Sequence, residues 1–509
     1  IQARRVARER DRADQFSGLL EGLIYGADPL GSADSLSART VLDRTARQAR
    51  ERIAAEPAVW GRLLMVVGKT YQNMGHLDEA IAAQEQALAG LSQAGGDRSP
   101  LVIDALRSLG SSLVQKGRFP EGIQRLEEAI ELARTRGEPG RTQLGVSLAD
   151  LGHALGFMEQ LDSAATVYRA ALTVLESVPD SGGAEYDRLQ VDFGNLLLQG
   201  SELAEAERLM TGAVARLSSR EGPESGATLH AKTELADILL KQGKLAGAEQ
   251  MATEVLTMRR RLNRTPHEQL ANALLQHGRS MAEAGRMSEA EEDMRAALAM
   301  WRELNGQRSF GAAYAQVQLA DVLKRAGRSE EAIALEQNSL ELYRDLSGPQ
   351  SAGAVYTATR LARSEYLAGR RDSAERRFRE NLPRLDSTRS GEGRLVRPFT
   401  DFGELLAASG KCSEAEPLLR RAMAIAERGW GLSHPVSIRP RRLLGECLVT
   451  ERRFETAEAT LLPGFRHAHA AGDYAPRLTA ELGVALVRLY EGWGRADLAA
   501  PFRAVAVSR

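Results

Sequence analysis

Apolar side chains return along this chain at the three-and-four spacing of a helix with one buried face, as in Leu270–Met281 and Ala290–Leu304. Between those two runs stands a polar hexad, Gly285-Arg286-Met287-Ser288-Glu289-Ala290. It returns as Gly327 to Ala332, Gly369 to Ala374 and Gly410 to Ala415. The closing position is a ruler: Ala80, Gly122, Ala164, Ala206, Ala248, Ala290, Ala332, Ala374, Ala415, Ala457 and Ala499, every interval being 42 residues except one of 41. Five residues before the ruler, eight of the eleven copies carry glycine, which suits the left-handed end of a helix. Twelve residues before it comes a small residue in every copy but the last, which has Val487. A large apolar residue usually precedes the small one, as in Leu109, Phe193, Leu319 and Phe402. The pattern predicts an all-α chain of helical hairpins, the two helices of each crossing closely at the small positions. A fixed period of this size marks a repeat solenoid.

Large-apolar then Gly/Ala, seven residues to Gly, five to the ruler and seven more to another alanine (Ala87, Ala129, Ala171, Ala213, Ala297, Ala422, Ala506) resembles the tetratricopeptide repeat. That repeat is ordinarily about 34 residues long. The longer period, and the linker-like run Gly431-Leu432-Ser433-His434-Pro435, resemble the variety found in kinesin light chains. The resemblance covers roughly residues 57–509 and implies eleven tandem hairpins in a right-handed α-α superhelix. It further implies a concave wall lined by the first helix of each pair, and a role in binding proteins or extended peptides.

Residues 1–56 precede the first clear repeat. Ile1 to Tyr25 reads as a helix with an arginine-rich start (Arg4, Arg5, Arg8, Arg10, Arg12) and an apolar stripe at Phe16, Leu19, Leu20, Leu23 and Ile24. Gly26-Ala27-Asp28-Pro29 breaks it, and a second helix is expected from about Ser35 to Ala55, as a capping pair. This order, with Thr40-Val41-Leu42-Asp43-Arg44 leading into long repeats, resembles the region after the membrane segment of bacterial serine/threonine kinases. The start at Ile1 without methionine agrees with a piece of something longer. The resemblance implies a sensor or scaffold arm of a signalling protein. The alternative is the C-terminal part of a kinase whose catalytic domain lies outside this chain.

Bulk properties narrow the functions. At 509 residues, length alone would suggest several globular domains, but a solenoid grows without new cores. A net charge of −1 gives no global attraction to nucleic acid. No apolar run approaches the roughly 20 residues that span a bilayer. Cys412 and Cys447 make no disulfide framework and are expected as packed or exposed thiols. Asp192-Phe193-Gly194 and Asp401-Phe402-Gly403 spell the metal-binding triplet of kinases, yet each phenylalanine falls on the large-apolar repeat position and each glycine on the small one. The companion kinase motifs are missing. His467 and His469 are two residues apart, so a helix would point them to different faces. No catalytic, cofactor or metal site is expected.

The remaining chemistry lies on the expected inner wall. Repeat registers place Asp150, Asp192, Glu234 and Asp237 as an acidic zone, and Arg360, Arg363, Arg397, Arg439 and Arg442 as a basic one, with Tyr314 and Tyr356 between. Arg279 and Asp321 share the register of Asp237 and Arg363. The candidate peptide-binding residues are Asp192, Asn195, Asp237, Arg279, Tyr314, Asp321, Tyr356, Arg360 and Arg363. The resemblance implies that Asn195 bonds the peptide backbone. The tyrosines offer rigid anchoring area. Reversing Arg360 and Arg363 to Glu is expected to weaken binding of an acidic partner.

Overall fold

The computed structural model describes residues 56–95, 99–158, 160–178, 183–200, 202–263, 265–387, 392–432, 434–470 and 476–506. The two helices expected before residue 56 lie outside them. Among the described residues the regular structure is helical throughout, without strands. The chain divides into two compact units, Ile1–Phe193 and Gly194–Arg509. The first holds the hairpins α1 (Pro57–Asn73) with α2 (Leu77–Gly95), α3 (Pro100–Gln115) with α4 (Phe119–Thr135), and α5 (Arg141–Phe157) with α6 (Leu161–Glu176). The boundary falls inside α7 (Gly183–Gly200), whose hairpin mate is α8 (Leu203–Glu221). The second unit continues with α9 (Gly226–Lys241), α10 (Leu245–Leu262), α11 (Glu268–Glu283), α12 (Met287–Asn305), α13 (Phe310–Arg325) and α14 (Ser329–Ser347). It closes with α15 (Ala352–Leu367), α16 (Arg371–Ser387), α17 (Val396–Ala408), α18 (Cys412–Trp430), α19 (Pro435–Thr450), α20 (Phe454–Ala470), α21 (Pro476–Gly492) and α22 (Ala496–Ala506). Within each unit every helix packs on the next in sequence, the arrangement of an α-α solenoid.

The turn inside each hairpin follows from one backbone requirement. All eight glycines five residues before the ruler have positive φ, from 72° at Gly243 to 84° at Gly117. In the tenth hairpin the same place is held by Arg452, whose φ is 59° and which is the one non-glycine with positive φ among the described residues. The frame therefore imposes the left-handed turn even where the side chain opposes it. Entry into the first helices is capped in register: Ser99, Ser225, Ser309 and Ser351 accept a backbone N–H through their hydroxyls. His267 and His434 take the same place and accept through Nδ1.

Packing explains the small positions. Every alanine of the ruler is fully buried. The small residue twelve before it lies under the side chain four after it: a Cβ on Gly110 would stand 2.8 Å from Leu126 Cγ, and one on Gly152 would stand 2.9 Å from the Tyr168 ring. Backbones approach because that Cβ is missing. The large apolar neighbours fill the next layer, Phe193 stacking on Tyr168 at 5.3 Å between ring centroids and Phe402 on Phe378 at 5.2 Å. Both kinase-like triplets are thus packing positions, their phenylalanines almost fully buried. In the second unit the apolar side chains merge into extended cores, one running from Leu229 to Ala332 and one from Val355 to Ala499.

Successive hairpins of the second unit are also joined by a ladder of ion pairs. A cation four residues before the ruler reaches back to the glutamate just after the previous ruler: Lys244 to Glu207, Arg286 to Glu249, Arg328 to Glu291, Lys411 to Glu375 and Arg453 to Glu416, all at 2.6–2.8 Å. Such surface pairs contribute little singly, but each fixes register between neighbours.

One expectation is corrected here. Cys412 and Cys447 are not thiols; they form a disulfide with Cα atoms 5.3 Å apart, inside the range the bond requires. Cys412 opens α18 and Cys447 lies on α19, so two elements of adjacent repeats bring together residues that sequence spacing keeps 35 apart.

Candidate functional site: a cavity on the inner wall of repeats five to nine

The first helices of the second unit present one face made of positions eighteen, fourteen, eleven and seven before the ruler, a helical i, i+4, i+7, i+11 stripe. On this stripe the side chains pair from helix to helix. Arg279 of α11 donates to Asp237 of α9 at 2.6 Å and to Gln276 at 3.0 Å. Arg325 of α13 pairs with Glu283 of α11 and donates to the Ala282 carbonyl at 3.1 Å. Arg360 of α15 pairs with Asp321 of α13 and is only 7% exposed. Arg397 of α17 reaches the same Asp321 at 3.1 Å, passing over one whole repeat. Arg363 pairs with Glu404 at 3.1 Å and Arg439 with Asp401 at 2.9 Å.

The stripe encloses a polar cavity of about 250 Å³. Five consecutive first helices contribute to it: Leu240 from α9, Arg279 and Glu283 from α11, Tyr314 and Asp321 from α13, Tyr356 and Arg360 from α15, and Arg397 from α17. One further contact draws the curve tight. His434, the cap of α19, bonds through Nε2 to the backbone carbonyl of Lys241 at the end of α9, across 193 residues. A carbonyl only accepts, so Nε2 carries the proton, while Nδ1 accepts from the Val436 N–H.

Electrostatics follow from the crowding. Burial opposes ionisation of Asp321, but the charges of Arg360, Arg397 and Lys324 overcome it and hold the carboxyl well below its usual range. Asp401 is lowered in the same way by Arg439, Arg363 and Arg397 acting against burial. Asp321 in turn raises the pKa of Arg397. Burial lowers the pKa of Lys241, and the charges of Arg279 and Arg394 add to the effect. Burial likewise lowers the pKa of His434.

Of the nine residues expected from the sequence, Arg279, Tyr314, Asp321, Tyr356 and Arg360 line this cavity. Asp237 stands behind Arg279 as its ion-pair partner. Arg363 belongs to the neighbouring cluster with Asp401 and Glu404. Asn195 does not line the cavity, and Asp192 lies in the first unit beside Arg188 at 3.6 Å. Arg360 and Arg363 are each bound to carboxylates of their own wall. Glu283 and Arg325 line the cavity as well, one turn further along the same stripe at the position seven before the ruler, where no anchor or charge zone marks them in the sequence. A larger surface hollow of about 620 Å³ against α9 and α10 is mostly apolar, and its charged lining residues are already paired, Lys232 with Glu254 at 2.9 Å and Glu249 with Arg286 at 2.6 Å.

Among the described residues no helix is long and apolar enough to cross a membrane. Two profiles, each described as tetratricopeptide repeat, match the chain. One matches residues 61–135, 101–177, 269–344 and 311–386, and the other 228–267 and 399–436, together more than half of the sequence. None of the curated proteins matches it. Among solved structures, a Rap protein complexed with competence and sporulation factor is similar over 72% of this chain and 99% of its own, with a TM-score of 0.51 and 14% identity. The apo form of RapI is similar over 72% and 98%, with a TM-score of 0.52 and 11% identity. A putative kinesin light chain from Podosopora anserina with nearly identical repeats is similar over 40% and 95%, with a TM-score of 0.35 and 19% identity.

Proposed function

Since the chain belongs to the tetratricopeptide-repeat family, we propose that it is an interaction scaffold holding a segment of a partner protein against the inner wall of repeats five to nine. The observation that carries this reading is the convergence of five first helices on one polar cavity with two tyrosines at its surface. Tyr314 is 41% exposed, an aromatic anchor open to a ligand. A Rap protein of similar fold was solved with competence and sporulation factor, and a partner at this wall extends that precedent to the present chain. A net charge of −1 favours a protein partner over nucleic acid; a salt-dependent shift of DNA mobility by this chain would reverse that preference. The parent role we propose is the scaffold arm of a bacterial signalling protein, with a serine/threonine kinase as the alternative. It rests on the arginine-rich start and the Thr40–Arg44 motif, and the coding sequence upstream of Ile1 decides it.

The test places a photo-cross-linking amino acid at Tyr314 and, as control, at Leu498. A partner captured from Tyr314 and not from Leu498, with the cross-link mapped to a single segment, supports the reading. Equal capture from both positions overturns it.

A further inference from the structure

The two cysteines of the chain meet at a single joint between repeats. Cys412 stands three residues before its ruler and Cys447 ten before the next. Elsewhere the same two places hold apolar pairs such as Phe119 with Ala154 and Met287 with Val322, each pair packed within one core. The sequence has no third cysteine, so only the joint between the ninth and tenth repeats can be locked covalently. That joint holds α19, and α19 carries the histidine cap that reaches the end of α9. Cys447 lies thirteen residues from His434, about 20 Å along a helix. Between them Arg439 pairs with Asp401 of α17 at 2.9 Å, and Arg441 pairs with Glu427 of α18. The helix is thus pinned at both ends and in the middle. With Cys447 released, the two arginines remain as a pivot, about 8–10 Å from His434. A tilt of about 10° around it moves the cap by roughly 1.5 Å, more than a hydrogen bond of about 3 Å tolerates. The acceptor of that bond belongs to a wall of the cavity. Leu240, beside Lys241, lines it from α9, facing Tyr356 and Arg397 from later repeats.

We propose that the Cys412–Cys447 disulfide is a redox-operated lock on the His434–Lys241 clasp. Oxidised, it holds the inner wall closed between the fifth and tenth repeats; reduced, it lets the clasp part and the cavity open. The reductant is a dithiol. Its first thiolate attacks Cys412, 7% exposed against 3% for Cys447, and Cys447 leaves as a thiolate. Its second thiol attacks the mixed disulfide, Cys412 leaves, and the reductant departs as a cyclic disulfide. Two electrons pass to the protein, and the two protons of the dithiol go to the freed thiolates or to solvent. Cys412 is the first residue of α18, where the positive end of the helix stabilises a thiolate and so favours the reduced form. The apolar pairs at other joints have no such chemistry, and the hairpins they join respond to no reductant.

The experiment follows the histidines of the intact chain by nitrogen-labelled NMR, the His434 signal being the one lost in His434→Asn. In the oxidised chain burial holds the His434 pKa below its ordinary value. With dithiothreitol it should rise toward about 6.5, and reoxidation should lower it again. Cys412→Met with Cys447→Val gives this joint the pair found at Met287 and Val322, and should show the raised value without any reductant. Hydroxyl-radical labelling of Tyr356, half-buried on the cavity wall, should then be faster in that variant than in the oxidised wild type. Circular dichroism at the working temperature restricts both comparisons to folded protein, and the reduced wild type serves where the variant loses helix. A His434 pKa indifferent to reduction overturns the proposal, as does a raised pKa with Tyr356 labelling unchanged. Neither measurement uses a partner, so the scaffold reading is judged separately, by capture from Tyr314.

Discussion

His434 and Lys241 touch although 193 residues separate them. The cap of the tenth repeat's first helix bonds the last carbonyl of the fifth repeat's first helix, so the inner wall curves far enough between these two repeats to bring them into contact. Nε2 donates its proton to that carbonyl, and Nδ1 accepts from the Val436 N–H, a role that only a neutral imidazole can fill.

The Nδ1 cap and the burial of the neutral ring are therefore pH-dependent, with a definite sign. Burial lowers the His434 pKa, so the unfolded chain binds the proton more readily than the folded one. Its contribution is complete above the ordinary histidine value of about 6.5 and is lost as pH falls from there through the depressed folded value. His434→Asn keeps a capping acceptor but not the second bond. Melting temperatures should differ between wild type and this variant at about pH 7.5 and converge toward about pH 5. A gap that stays constant across that interval removes the role assigned to the imidazole.

Asp321 behaves in the opposite chemical class. Its folded pKa is depressed, so its contribution is present above the unfolded carboxyl value of about 3.9 and disappears as pH falls through the folded one. Asp321→Asn strands the buried Arg360, and breaking a buried pair in this way costs about 3–5 kcal/mol. Denaturant unfolding at neutral pH measures it. A loss under about 1 kcal/mol would mean that Arg360 finds other compensation.

Arg452 holds a left-handed turn that every described equivalent position gives to glycine. A non-glycine residue there costs about 1–2 kcal/mol, and glycine returns part of that in unfolded-state freedom. Arg452→Gly should raise stability by up to about 1 kcal/mol, read from chemical denaturation. No gain would show that the arginine side chain makes compensating contacts.

The legibility of this molecule in its sequence is uneven, and particular residues show why. Period and small positions are set by close crossing, a local steric demand that each repeat states again, so the hairpins, their turns and the role of Phe193 and Phe402 could be read directly. Arg360 could not. Its register was right, but whether it faces a partner or Asp321 depends on how adjacent hairpins rotate, which no single repeat encodes. Arg397 bonding Asp321 over an intervening repeat, and His434 reaching Lys241, depend on curvature accumulated over several joints. The disulfide was hidden for a similar reason, since spacing along the chain does not reveal that α18 and α19 bring Cys412 against Cys447.

At the crossing points, Ala248 and Ala290 are fully buried. Leucine at either would force the hairpin apart, at a cost of about 1–3 kcal/mol. Circular dichroism melts of the two variants check it; a loss within a few tenths of a kcal/mol at both would contradict the steric origin of the period.

The Cys412–Cys447 bond closes a loop that contains His434. Reduction by a dithiol, or replacement of both cysteines by serine, should cost about 2–4 kcal/mol by releasing that loop in the unfolded chain. Proteolysis of the reduced protein should then cut first near the 431–435 linker. Identical denaturation curves with and without reductant would show that the bond adds no stability.

The ladder of cations and glutamates carries a consequence for how such a chain changes over generations. Its couplings are interchangeable: with one full period excised, Arg328 would find Glu249 where Glu291 had been, and the joint would close with the same chemistry. Gain or loss of whole modules therefore leaves the rungs intact, while a partial duplication mismatches them. One rung departs at Arg370, which has Ile333 at the partner position and turns to Glu330 instead. That odd rung stands in the stretch forming the cavity, where the modules have ceased to be equivalent and each has its own task.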